Sequence, residues 1–215
     1  MASKVNIMDR AAGLVGAERI TDPDSIPNNA RARRIVGLYP MVLDEALTVW
    51  PWVCVRDRAL LTAMEQKPAW GFAYQYSLPG DALGVQAANT GGCAWEVEGR
   101  KLLTDYAGPV QALVSIRQKE EWLHPLVASF AATRLAMASV MGVATSTTAQ
   151  ERLKGLVQDA FIEASHAENA QGSSLDKLSS GWVLAMQTGY APELRGSGAI
   201  PPDEYWLGKE QEIPG

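Results

Sequence analysis

Four stretches of this chain repeat their apolar residues at helical spacing. In the first, residues 4–20, the repeat is carried by Ile7, Ala11, Leu14 and Val15, and Gly13 and Gly16 weaken it. In the second, residues 29–50, it is Ile35, Leu38, Tyr39, Val42, Leu43, Ala46 and Leu47, with Asn28 or Asn29 as cap. Pro40 falls inside that stretch and costs about 3 kcal/mol in a regular helix, which predicts a kink or a break there. The third helix is expected over 121–142. Trp122, Leu126, Phe130, Met137 and Met141 lie along one stripe, with Leu123, Val127, Ala131, Leu135 and Ala138 beside it. Arg134 is the only charge between Pro125 and Gly142, so this helix should be buried on most sides. The fourth, over 149–171, turns Leu153, Leu156, Val157, Ala160, Phe161 and Ala164 inward and Glu151, Arg152, Lys154 and Asp159 outward.

Between the second and third helices the period shortens. Trp52–Leu61, Gly71–Leu78, Leu83–Ala88, Ala94–Val97, Arg100–Thr104 and Pro109–Arg117 alternate, or are rich in aromatic and branched residues, and turn residues separate them. Arg58–Gln66 also fits one or two helical turns. Glu98-Gly99 reads as a two-residue hairpin turn. The fold class that follows is α+β: an antiparallel bundle of about four helices over residues 1–171, with an antiparallel β insert over about 52–117. Residues 172–215 have little periodicity and much glycine and proline, but they carry Trp182, Tyr190, Tyr205 and Trp206. A spacer has no need of such aromatics, so the reading is an extended arm that binds a partner. Trp50–Asp81 is the densest aromatic stretch, with three of the seven tryptophans, and reads first as a packing hub.

Composition narrows the classes. The 215 residues hold 19 Lys and Arg against 24 Asp and Glu, for a formal charge of −5. No basic block larger than Arg31, Arg33 and Arg34 occurs, which argues against a sequence-specific nucleic-acid reader. No long uncharged apolar run is present, so no membrane span is expected, and the charged start does not suit a signal peptide. Cys54 and Cys93 show no paired spacing and are read as reduced and structural.

Phosphate loops, nucleophile elbows, zinc spacings and dinucleotide fingerprints are not found in the sequence. One metal constellation can be weighed. Both histidines sit in Glu-x-x-His, at Glu121–His124 and Glu163–His166, and such pairs with two further glutamates, here Glu45 and Glu18, hold di-iron centres. At about 100° per residue, however, Glu163 and His166 point aside from the apolar face of their helix, so no metal and no cofactor is expected. Glu120/Glu121 and Glu96/Glu98 are acid pairs of the kind glycoside hydrolysis uses, a weak signal from sequence alone.

The order of features is similar to the tail tubular protein A family of short-tailed phages, the head-to-tail adaptors. The similarity runs from about residue 5 to 171. It rests on Ala12–Ile20, the Trp50-Pro51-Trp52 pair, Phe72–Val85 with its Leu78-Pro79-Gly80-Asp81 core, Glu96–Asp105, and Trp122-x-x-Pro125 opening an Ala-rich helix. Trp50, Trp52, Tyr74, Tyr76, Leu78, Pro79, Asp81 and Trp122 are its signature residues, structural rather than catalytic. Cys54 departs from the pattern, where an aromatic-alanine pair is usual, and the stretch after Gly172 matches nothing in it. The resemblance implies a non-enzymatic ring of identical subunits, commonly twelve, at the head-tail junction of a virion assembled in the host cytoplasm. Its partners would be itself, a portal protein and a tail tube or nozzle protein. DNA would pass through without sequence-specific binding, and no membrane would be involved. Some related tail proteins cleave peptidoglycan, which leaves a hydrolase as the alternative.

Overall fold

The computed structural model describes residues 2–22, 24, 27–141 and 147–171. They form four α-helices and an antiparallel sheet, and divide into two compact units. The first unit comprises the described residues up to Asp57, Asp81–Gly84 and those from Ser115 on; the second comprises Arg58–Gly80 and Val85–Val114.

In the first unit, α1 (Lys4–Leu14) starts at Ser3, whose hydroxyl accepts the Asn6 N–H at 3.1 Å. It stops six residues before the expected end at 20. Gly16 takes φ +63°, and Ala17 N donates back to the Ala12 carbonyl, the paired closure that a left-handed glycine permits. Helix α2 (Ala30–Thr48) is capped by Asn29, whose Oδ1 accepts from Arg31 N at 2.8 Å and Ala32 N at 3.3 Å. It runs without a break through Pro40. The proline lies on the exposed side, where water can take the carbonyl that loses its donor, and the buried stripe of Ile35, Tyr39, Val42, Leu43, Ala46 and Leu47 continues opposite.

Helix α3 (Pro125–Val140) begins later than expected. Proline pushes its predecessor out of the helical region, and His124 accordingly sits at ψ 136° as the N-cap, its Nδ1 accepting from Leu126 N at 3.3 Å. Trp122 therefore does not belong to the helix. It ends a 3-10 turn, Glu120–Trp122, and is 63% exposed, so its place in the buried stripe is corrected. Helix α4 covers Thr147–Ala170. Helix α3 packs against α1, α2 and α4, and the core of the unit lies along it, at Val127, Phe130, Ala131 and Leu135.

Six strands form one sheet: β1 (Arg56–Ala63), β2 (Tyr74–Ser77), β3 (Ala82–Asn89), β4 (Trp95–Glu98), β5 (Lys101–Thr104) and β6 (Val110–Ile116), in the order β3-β6-β1-β2-β5-β4. Val53–Val55 ahead of β1 is a 3-10 turn, and the helical reading of Arg58–Gln66 gives way to strand. In the β4–β5 hairpin Glu98 pairs with Lys101, so the turn is Gly99-Arg100, one residue later than expected. Register places Tyr76, Leu102 and Val97 side by side on one face, and Gln75, Leu103 and Glu96 on the other. Tyr76 and Leu102 are buried, and so are Gln75 and Leu103, so this part of the sheet is covered on both sides.

Candidate functional site

The signature residues fall into three environments. Trp50 and Trp52, 5% and 0% exposed, follow α2 and join Phe130 and Phe161 in one aromatic cluster, with ring centroids 5.4–6.4 Å apart. Both indoles meet Phe161 nearly edge-on, the orientation the ring quadrupoles favour. Trp52 Nε1 donates to the Ala46 carbonyl at 2.8 Å, which satisfies its polar atom inside the core. These two residues hold the helical unit together and offer nothing to a ligand.

Tyr74, Tyr76, Leu78 and Pro79 belong to the strand unit. The Tyr76 hydroxyl lies between the carbonyl oxygens of Tyr106 and Gly108, at 2.8 and 2.9 Å, and burial holds its pKa above the usual phenol value. Leu78 N donates to the Arg100 carbonyl at 3.0 Å, and the Arg100 guanidinium donates to the carbonyl of Pro79. Asp81 is exposed, and its carbonyl accepts from Arg117 N at 3.1 Å. Trp122 stands in solvent with the Lys119 ammonium 5.8 Å from its ring centre. Trp182, Tyr190, Tyr205 and Trp206 lie outside the described residues.

The third tryptophan of the Trp50–Asp81 stretch corrects the reading of a single hub. Trp70 is 87% exposed, at the tip of the loop joining β1 to β2. The loop is pinned at both ends. Met64 N donates to the Gln75 carbonyl at 3.0 Å, and the buried Gln75 amide donates to the Gln66 carbonyl at 2.5 Å. Ala73 N donates to Asp105 Oδ1 at 2.9 Å, and the Lys67 ammonium lies 5.9 Å from the centre of the Tyr74 ring. Gly71, at φ +88°, makes the turn that follows the indole. A large apolar side chain is thus presented to water on a loop held at both ends.

Between this loop and the outer face of β2, β5 and β4 runs a groove of about 350 Å³. Leu103 and Gln75 form part of its lining, with Trp70 and Phe72 from the loop and Glu96, Glu98, Lys67 and Lys101 among its charges. Glu98 stands directly across from Lys101, which offsets its charge and leaves Glu96 opposite the uncharged Leu103. Neither the exposure of Trp70 nor its meeting with Glu96 and Glu98 follows from the sequence pattern. The signal was the Pro68-x-Trp70-Gly71 pattern, a tryptophan set among turn formers.

In the helical unit, burial pushes the Cys54 thiol up to about 12, with the nearby Glu168 carboxylate adding to the shift, so this cysteine is not a nucleophile near neutral pH. Burial likewise raises Tyr39, whose hydroxyl donates to Glu120 Oε1 at 2.8 Å. Of the residues weighed for di-iron, Glu121, Glu163 and His166 are exposed, while His124 caps α3 and Glu45 pairs with Arg134 at 3.2 Å. No group of three or more metal-ligating side chains converges among the described residues. None of the described helices is long and apolar enough to cross a membrane. No family model and no curated protein matches this chain.

Proposed function

We propose that this chain is a structural head-to-tail adaptor of a tailed phage: a subunit of a ring that sits between portal and tail and lets DNA pass. The observation that carries the reading is Trp70, an indole 87% exposed on a loop fixed by backbone and side-chain hydrogen bonds. An exposed aromatic beside a groove, on a loop pinned at both ends, suits a preorganised protein contact. Its neighbours in sequence, Phe72 to Asp81, are the part of the chain most similar to the adaptor family. The ring, the portal and the tail as partners, and the virion location rest on that resemblance. Mixing the purified chain with portal and imaging by negative-stain microscopy tests the reading; rings capping the portal are expected, and no binding to portal overturns it.

The Glu96–Glu98 pair favours a second reading, a peptidoglycan hydrolase. The two glutamates share a strand face beside two aromatic rings, Trp70 and Phe72, in one groove. Clearing of cell-wall material in a zymogram, abolished in Glu96→Gln, would establish it.

A further inference from the structure

The strand unit carries a second concavity, separate from the Trp70 groove and sharing no residue with it. It has a volume of about 250 Å³ and is formed where β1, β3 and β6 run side by side. Leu60, Leu113 and the alanines of the three strands give it a mostly apolar wall, with Ala112 itself buried, and Arg58, Asn89 and Gln111 are its polar lining residues. Leu60 is 68% exposed. An apolar cavity of roughly 150 Å³ takes one benzene ring, so this one has room for the fused rings of an indole. An arginine in the wall suits an indole further, because a guanidinium is drawn to the face of a tryptophan ring. The small alanines leave the space; a tryptophan elsewhere in the unit is missing its cover.

We infer that Trp70 of one copy of this chain seats in the Leu60/Ala88/Leu113 groove of a second copy. Trp70 cannot be occupying this groove in its own chain, since it is 87% exposed. Knob and groove are different surfaces of the same unit, so a single such contact is head-to-tail, whereas two copies that each seat the other's tryptophan close as a two-fold pair. Each copy that offers its tryptophan to one neighbour still offers its groove to another, and such a contact closes into a ring when the rotation permits. A seated indole buries about 150–250 Å², well short of the ~800 Å² per partner of a standard interface. It is the anchor of a larger contact. Ring closure rests on the adaptor reading; the seating of Trp70 does not.

The test uses the full chain and two exposed positions, with self-association followed by sedimentation velocity over a concentration series. Wild type is expected to associate, and Trp70→Ala to weaken each contact by about 30-fold or more, the loss of an interface hot spot. Leu60→Glu is expected to do the same from the groove side. Mixing the two variants decides the geometry. Trp70→Ala keeps its groove and Leu60→Glu keeps its knob, so the mixture should form pairs and grow no further. Circular dichroism confirms that each variant is folded, and should Leu60→Glu fail that check, Trp70→Ala decides alone. Wild type that stays monomeric throughout, Trp70→Ala that associates like wild type, or a mixture of folded variants that forms no pairs overturns the inference. Rings on the portal formed equally well by Trp70→Ala would sink this contact and leave the adaptor reading intact. Failure of wild type to bind portal would strike that reading alone.

Discussion

Glu168 in α4 accepts a hydrogen bond from the backbone N–H of Cys54, Oε2 to nitrogen 2.9 Å, across 114 residues of sequence. The carboxylate is 1% exposed, and its Oε1 has no hydrogen-bond partner among the described residues. One oxygen thus ties the 3-10 turn after α2 to the last turns of α4, while the other bears the cost of burial. Glu168→Ala is expected to destabilise the protein by about 2–4 kcal/mol, because it leaves the Cys54 N–H unpaired and opens a cavity. Glu168→Gln keeps the acceptor and removes the charge, so it should fall within about 1 kcal/mol of wild type or exceed it. Urea unfolding measures both. A Glu168→Ala protein as stable as wild type would show that the bond contributes nothing.

Burial of the Cys54 thiol beside Glu168 sets a pH dependence. Cys54 is raised from an ordinary thiol value to about 12, by burial first and by the charge of Glu168 next. A group whose pKa is higher folded than unfolded holds its proton longer in the folded state. Its stabilising share is therefore complete below about pH 9 and is lost as the pH climbs toward 12. Unfolding free energy should fall across that window, and less steeply in Cys54→Ala. Tyr39 and Tyr76, also shifted upward, add in the same direction and remain in that variant. In a Cys93→Ala background, Cys54, half-buried and with a raised pKa, should be alkylated more slowly at pH 8 in the native than in the unfolded protein. Rapid labelling of the native protein would contradict the burial assigned to it.

The aromatic cluster makes Trp52 the most sensitive core position. Trp52→Ala is expected to cost about 3–5 kcal/mol, the range for removing a large aromatic from a core. Trp52→Phe retains much of the ring contact and loses the 2.8 Å bond to the Ala46 carbonyl, so about 1–3 kcal/mol is expected. Trp70→Ala, by contrast, should leave the midpoint of chemical denaturation within experimental scatter, because that indole is already in water.

On the proposed adaptor reading, truncation after Gln171 should leave the melting transition in place and weaken joining to the portal. The removed stretch contains Trp182, Tyr190, Tyr205 and Trp206, the aromatics that the proposed adaptor reading assigns to a partner-binding arm. Calorimetry and a portal-binding titration check the two halves, and unchanged affinity would dismiss the arm.

Much of the fold was legible because its causes are local. The stripe from Ile35 to Leu47 follows from spacing and is buried except at the half-buried Leu38, and all six strands follow from alternation and turn residues. Boundaries moved where one residue dictated geometry: Gly16 ended α1 early, and Pro125 held the chain out of helix until α3 could start. The candidate site was less legible. Glu96 and Glu98 were visible as a pair, but not the loop that brings Trp70 and Phe72 beside them. Glu168 lies four residues after Ala164 and seven after Phe161, on the same face, but apolar spacing does not mark it because a carboxylate in that position is ordinarily a break in the stripe.

By itself the sequence determined the kind and order of the elements, since helical and strand periods, caps and turns depend on residues a few positions apart. It also determined the aromatic wealth of Trp50–Asp81. Only the tertiary structure decided how that wealth is divided: Trp50 and Trp52 sealed against Phe130 and Phe161, Trp70 left in water on a pinned loop. The physical reason is that burial belongs to the surroundings of a side chain. Those surroundings are supplied by partners as much as 111 residues away, as Phe161 is from Trp50, and no local pattern records them.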